Sequence, residues 1–143
     1  MYPKYDEDFY GWAMAEANLL RQRKWDELDI EHLAEELESM GASEKREIRS
    51  RMEQLLKHLL KWKYQSDLQC RSWKNSIRNQ RKALLAIIKD NPSLKPTIPE
   101  YVKDVYEGAL DGAVEETGIY KENFPAECPY TFEQIMNDEF YPE

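Results

Sequence analysis

Apolar residues recur along this chain at intervals of three and four residues, which is the spacing of one face of an α-helix. The longest such seam follows a 4-3-4-3 pattern and comprises Ile48, Met52, Leu55, Leu59 and Trp62. No segment of useful length alternates apolar and polar residues, the pattern of a half-buried strand. The longest run without a charged residue has seven residues, Phe9 to Ala15, too short to cross a membrane. The pattern therefore predicts an all-α protein that does not span a membrane.

Capping and helix-breaking residues divide the pattern into five main helices in a single-domain bundle. Asp6 and Asp29 are placed to cap the first two helices, and Gly41 is placed to end the second. The predicted helices cover about residues 6–22, 30–40, 44–64, 72–90 and 98–117. Residues 119–143 keep many apolar side chains among three prolines. We expect them to form a C-terminal strap with a short helix that begins at Thr131.

Length and composition agree with one ordinary domain. The chain has 143 residues, which is within the usual size of a single domain. Its 4 Trp, 9 Tyr and 4 Phe exclude a disordered tail. Two cysteines are too few for a disulfide framework, so we expect a reducing compartment and a cytoplasmic protein.

Charge is divided along the sequence, although the net charge is only −8. Residues 1–43 carry 4 basic and 11 acidic side chains, residues 44–82 carry 12 and 4, and residues 83–143 carry 4 and 13. On a helical wheel, five cations of the fourth helix form one stripe beside its apolar face. This basic stripe comprises Arg71, Lys74, Arg78, Arg81 and Lys82.

The basic stripe has two interpretations. Five cations in a row are typical of a surface that binds the phosphates of a nucleic acid or of a smaller ligand. Alternatively, acidic helices of the same chain neutralise the stripe, for instance through Glu31, Glu35, Glu36 and Glu38. The sequence pI of about 4.9 favours the second interpretation, because nucleic-acid-binding domains are usually basic.

A second group of residues lies along one edge of the seam on the third helix. It comprises Arg51, His58, Trp62 and Gln65. The group is a candidate edge of a small polar pocket, and hence of an enzyme site near His58. More often, such a histidine borders a core with its hydrogen bonds satisfied. We predict no metal and no cofactor, because Asp29-x-x-His32 occurs once and a di-iron bundle needs two such pairs.

Several segments together resemble a known family. They are Tyr5–Trp12, Leu33–Gly41, His58–Trp62, Arg71–Trp73 with Ile77 and Gln80–Arg81, Glu116–Gly118, Phe124–Pro125 and Cys128–Thr131. In this order they are similar to the bacterial, largely cyanobacterial, family called domain of unknown function twenty-nine. The resemblance implies a compact helical protein over essentially the whole chain. It implies no activity, substrate or catalytic residue.

Three classes of function follow from these observations. The first is a non-enzymatic protein-interaction or regulatory module that binds a protein partner through its charge-divided surface. The second is a binder of nucleic acid or of a phosphate ligand through the basic stripe. The third is an enzyme with a small site near His58. A closed interior with a neutralised stripe favours the first class, and an exposed stripe favours the second.

Overall fold

Helices make up all the regular structure of residues 2–143, in agreement with the predicted all-α class. The structure is a computed structural model that describes residues 2–143, and no strand occurs within that range. The described residues form five α-helices: α1 Phe9–Arg21, α2 Ile30–Tyr64, α3 Arg71–Asp90, α4 Ile98–Thr117 and α5 Phe132–Met136. Their residues gather into two compact units that meet in sequence within α2. We call them the N-terminal unit (residues 2–43) and the C-terminal unit (residues 44–143).

The predicted break at Gly41 is wrong, because α2 runs without interruption through this residue. A glycine that ends a helix takes a left-handed conformation. Gly118 does so after α4, with φ of 74°, whereas Gly41 has no positive φ. Glycine inside a helix is less stable than alanine by about 0.5–1 kcal/mol. This cost is small enough for the helix to continue through Gly41. The second and third predicted helices are therefore one helix.

The N-terminal unit contains α1, a short connection and the beginning of α2. The predicted cap Asp6 lies in a turn before α1, and Asp8 is the cap, with Oδ1 accepting from the N–H of Gly11 at 2.9 Å. Asp29 caps α2 as predicted, with Oδ1 3.4 Å from the N–H of His32. Both caps satisfy main-chain donors that the first turn of a helix leaves without partners.

The C-terminal unit contains the continuous apolar core. The seam of α2 that was predicted from its 4-3 spacing supplies one side of it, with Ile48, Met52, Leu55 and Leu59 fully buried. The strap (residues 119–143) adds three buried members to this core cluster, the side chains of Phe124, Tyr130 and Ile135. Its short helix α5 begins at Thr131 as predicted, through a reciprocal capping box between Thr131 and Gln134.

Candidate functional site

The basic stripe of α3 divides into exposed and buried members. Arg71, Lys74, Arg78 and Lys82 are exposed, whereas Arg81 is only 2% exposed. A buried guanidinium remains protonated, because its pKa lies far above neutrality. Arg81 is therefore a buried charge and not part of a solvated surface.

Arg81 holds the strap against α3 through main-chain carbonyl groups. Its Nε donates to the carbonyl oxygen of Ile135 at 2.7 Å, and its Nη2 donates to that of Phe140 at 2.7 Å. Its Nη1 is also buried and has no hydrogen-bond partner within residues 2–143. In the same range, Arg81 forms no ion pair with a carboxylate. Burial lowers the pKa of Arg81, which expresses the cost of a charge without an acidic partner.

A cleft opens beside Arg81 where the end of the strap meets α3. It is lined by Lys74, Arg78, Arg81, Asp138, Glu139 and Tyr141 and has a volume of about 320 Å³. We call it the Tyr141 cleft, because the Tyr141 ring lies 5.4 Å from both the Lys74 ammonium and the Arg81 guanidinium. At these distances each cation is attracted by the electrons of the ring. Arg71 and Lys82 do not line the cleft.

Two residues of the second predicted group, Arg51 and His58, are each bound to separate partners. Arg51 donates from Nε to Glu47 at 2.6 Å and from Nη1 to the side-chain oxygen of Gln80 at 3.2 Å. His58 donates from Nδ1 to the main-chain oxygen of Gln54 at 2.8 Å. Burial lowers the pKa of His58, so the imidazole is neutral near pH 7.

The other two residues of that group point to different parts of the C-terminal unit. The Trp62 ring packs against Tyr141 with ring centres 5.0 Å apart, and Gln65 Nε2 lies 3.4 Å from the main-chain oxygen of Thr117. The four side chains thus have four separate sets of partners. They do not converge on one pocket.

A cluster of polar and aromatic residues in the N-terminal unit was not anticipated as a site. Asp29 Oδ2 accepts from Trp12 Nε1 at 3.0 Å and from His32 Nδ1 at 2.7 Å. The Tyr5 ring stacks on the His32 ring at 4.0 Å, and its hydroxyl donates to Glu36. Since these contacts join the first residues of the chain to α1 and α2, periodicity along one helix cannot reveal them.

Glu16 completes this cluster as a buried acid. It is 1% exposed, accepts from the Tyr2 hydroxyl at 2.9 Å, and accepts from the N–H of Asp29 at 3.2 Å. A cavity of about 590 Å³ adjoins it, and no Ser, Thr or Cys lines that cavity in the described part of the chain. An Asp–His pair can orient a general base, but here Asp29 also holds a helix cap and Trp12. We therefore assign the cluster to the structure of the unit.

No metal site is evident among these side chains. Across residues 2–143, no three His, Cys, Asp or Glu side chains gather closely enough to hold an ion. In the same range, no helix is both long and apolar enough to cross a membrane.

The hydrogen-bonded pair of Asp29 and His32 is expected to make the stability of the folded N-terminal unit depend on pH. Their hydrogen bond lowers the pKa of Asp29 from 3.8 and raises that of His32 from 6.5. The stabilisation from His32 is complete below pH 6.5 and is lost as pH rises through its raised pKa. That from Asp29 is present above pH 3.8 and is lost as pH falls through its lowered pKa.

We therefore expect the N-terminal unit to unfold at lower urea concentration at pH 8.5 than at pH 5.5. The measurement is a urea titration at each pH, followed by the NMR signal of the Trp12 indole. The His32→Gln variant should show little difference between these two pH values. An equal pH dependence in the variant would contradict the assignment to this pair.

Exposed apolar side chains are concentrated in the N-terminal unit. Of the twelve large apolar side chains that are exposed among residues 2–143, nine lie in this unit. They are Tyr2, Phe9, Tyr10, Met14, Leu20, Trp25, Ile30, Leu37 and Met40. Single exposed apolar residues are ordinary, whereas a contiguous apolar patch is typical of an interaction surface.

These exposed residues follow a helical order on α2. Ile30, Leu37 and Met40 are exposed and lie on one face at 3-4-3 spacing with the partly buried Leu33, and we call these four residues the exposed seam. Leu37 is 68% exposed and Met40 is 66% exposed. Glu36 flanks this face, about 80° from its centre, whereas Glu31, Glu35 and Glu38 lie about 120–180° away on the other side of the helix. The exposed seam thus has an apolar centre, with one acidic residue beside it and three on the opposite side of α2.

One family of related sequences matches nearly the whole chain, including the exposed seam and the Tyr141 cleft. The model of the family described as domain of unknown function DUF29 matches residues 4–141. The chain belongs to this family. The match to DUF29 takes in the exposed seam and the Tyr141 cleft alike, and it confirms the resemblance seen in the sequence motifs. No curated protein and no solved structure gives a significant match to the chain.

Proposed function

We propose that this DUF29 protein is a non-enzymatic protein-interaction module whose exposed seam binds an amphipathic helix of a partner protein. The observation that supports the proposal most strongly is the exposure of Ile30, Leu37 and Met40 on one face of α2. An apolar helical face is normally buried against another element. Burying it against a partner stabilises the complex by about 25 cal/mol for each Å² of apolar surface removed from water.

The spacing of the seam indicates what kind of surface it fits. Apolar residues at 3-4-3 spacing pack against the matching ridge of a second helix, as in coiled coils and helix-in-groove complexes. Apolar side chains are also exposed on α1, where Tyr10 and Met14 lie one turn apart and Tyr10 is 74% exposed. Glu16, the sole acidic residue of α1, is buried, so no carboxylate of α1 opposes an apolar partner.

The charge of the N-terminal unit indicates which charge a partner helix should carry. Residues 1–43 carry 11 acidic and 4 basic side chains, and Glu36 flanks the seam. A helix with lysine or arginine beside its apolar face is therefore the complementary partner, since opposite charges speed the encounter and fix the register. A second copy of this chain would place the same acids against each other, which is unfavourable.

Two synthetic helical peptides test the proposal. Both carry the same leucine face, and their remaining positions are either lysine or glutamate. We expect the lysine peptide to bind and the glutamate peptide not to bind, as measured by fluorescence anisotropy. The Leu37→Ser, Met40→Ser double variant should weaken binding at least about tenfold, because the centre of an interface supplies most of its affinity.

A matched control separates the seam from general attraction to an acidic protein. The Leu68→Ser, Leu85→Ser double variant removes two apolar residues of the C-terminal unit that are 55% and 62% exposed. It should bind the lysine peptide like the wild type. Equal weakening by both double variants, or no binding of the lysine peptide, would contradict the proposal. So would a homodimer in sedimentation equilibrium that Leu37→Ser, Met40→Ser dissociates.

A further inference from the structure

We propose that the Tyr141 cleft is a binding site for a small phosphate group, either free phosphate or the phosphate of a phosphomonoester. The cleft brings Lys74 and Arg78 of α3 together with the buried Arg81. The proposal is independent of the exposed seam and concerns a different chemistry. It rests on an unpaired buried donor, on the charge of the cleft and on its size.

The unpaired donor is Nη1 of Arg81. Two other nitrogens of this guanidinium bind carbonyl groups of the strap, and Nη1 is buried without a partner in the described residues. Leaving a buried donor of a charged group unsatisfied costs more than leaving a neutral one. A phosphate oxygen is a strong acceptor for a guanidinium, whose rigid fork of donors matches it. An anion in the cleft, which Arg81 lines, would offset the charge of this guanidinium, and a small shift of the side chain would bring Nη1 to it.

The neighbouring cations make the cleft attractive to an anion. Lys74 and Arg78 line it and are exposed, so both can turn towards a ligand. Asp138 and Glu139 also line it, which leaves three positive and two negative groups. The two carboxylates repel an extended polyanion and restrict the site to an anion that fits beside the cations.

Size and position favour a small ligand over a nucleic acid. A cleft of about 320 Å³ lies at the lower end of the range for small-molecule sites. A nucleic-acid strand lying along the basic stripe would use Arg71 and Lys82, which are outside the cleft. Arg81 is buried and cannot follow a strand on the surface. Lys74, Arg78 and Arg81 thus line the same cleft, where they can share one phosphate, whereas the other two cations of the stripe lie outside it.

Titration with inorganic phosphate tests the site directly. The reporter is the NMR signal of the Trp62 indole, because its ring lies 5.0 Å from that of Tyr141. Ionic strength is held constant with sodium chloride. We expect a shift that saturates with phosphate and that chloride alone does not produce. A shift that fails to saturate up to tens of millimolar phosphate would overturn the proposal.

A pair of matched variants locates the binding. Lys74→Gln, Arg78→Gln and Arg71→Gln, Lys82→Gln each remove two exposed cations from α3. The first should weaken phosphate binding at least about tenfold, because it removes two charge-assisted contacts. The second should leave the affinity within about twofold, since long-range attraction alone is screened by salt. Asp138→Asn should strengthen binding. Equal weakening by the two double variants would overturn the proposal.

Two further titrations distinguish the source of the phosphate. Glycerol 3-phosphate that binds more tightly than inorganic phosphate assigns the site to a phosphomonoester, and the reverse order assigns it to the free ion. A single-stranded oligonucleotide is the third probe. Oligonucleotide binding that both double variants weaken alike, with no saturable response to either small phosphate, would replace the proposed site by a nucleic-acid surface.

Discussion

Replacing Arg81 by methionine is expected to lower the free energy of unfolding by about 3–5 kcal/mol. The variant removes two short hydrogen bonds from a charged donor, each worth about 1.5–3 kcal/mol, and a longer one to the main-chain oxygen of Gln134 at 3.5 Å. It also leaves the carbonyl groups of Ile135 and Phe140 without the donors they have in the structure. Urea unfolding followed by circular dichroism, in a buffer without phosphate, measures the change.

The neighbouring Arg78 provides the control for this prediction. It lies on the same helix and is exposed, so Arg78→Met should change stability by no more than about 0.5 kcal/mol. Arg81→Lys keeps the charge but loses the planar fork of donors. Its loss of stability should lie between those of Arg78→Met and Arg81→Met. If Arg81→Met were no more destabilising than Arg78→Met, the strap would not depend on this anchor.

Replacing Trp12 by alanine is expected to destabilise the N-terminal unit by about 3–5 kcal/mol. Trp12 is 3% exposed and is the sole buried large apolar side chain among residues 2–43. The change also removes the donor that Asp29 accepts from at 3.0 Å. A unit with one large buried residue has few other contacts to keep it ordered.

Hydrogen exchange resolved by peptide mass spectrometry measures this effect where it occurs. Protection should be lost over residues 9–40 in Trp12→Ala. Tyr10→Ala is the matched control, because it removes an aromatic ring that is 74% exposed on the same helix. Its protection should equal that of the wild type. Unchanged protection in Trp12→Ala would show that the ring is not central to the unit.

The periodic seams could be predicted from the sequence, but what covers each seam could not. Ile48 and Leu55 belong to a buried seam of α2, whereas Ile30 and Leu37 of the same helix are exposed at similar spacing. Periodicity reports that one face of a helix is apolar. Whether a neighbour covers that face depends on tertiary structure, which a single helix does not encode.

The role of Arg81 was partly visible in the sequence. Ile77, Arg81, Leu84 and Ile88 follow 4-3-4 spacing, so Arg81 occupies a position of the seam and not of the solvated edge. A cation at a seam position indicates a buried donor. Its acceptors could not be predicted, because they are main-chain carbonyls of a segment more than fifty residues away. The contact of Tyr5 with His32 was hidden for the same reason.

The anchor that Arg81 provides has a consequence for how the sequence of the strap can change. Arg81 binds carbonyl oxygens, and every amino acid has one, proline included. The anchor thus recognises the path of the main chain and not the side chains at positions 135 and 140. The anchor therefore tolerates replacement of the partly buried Phe140, whereas Ile135 is restricted by its burial in the core and not by Arg81. Position 81 cannot change without loss of the anchor, because no other side chain offers the same fork of donors.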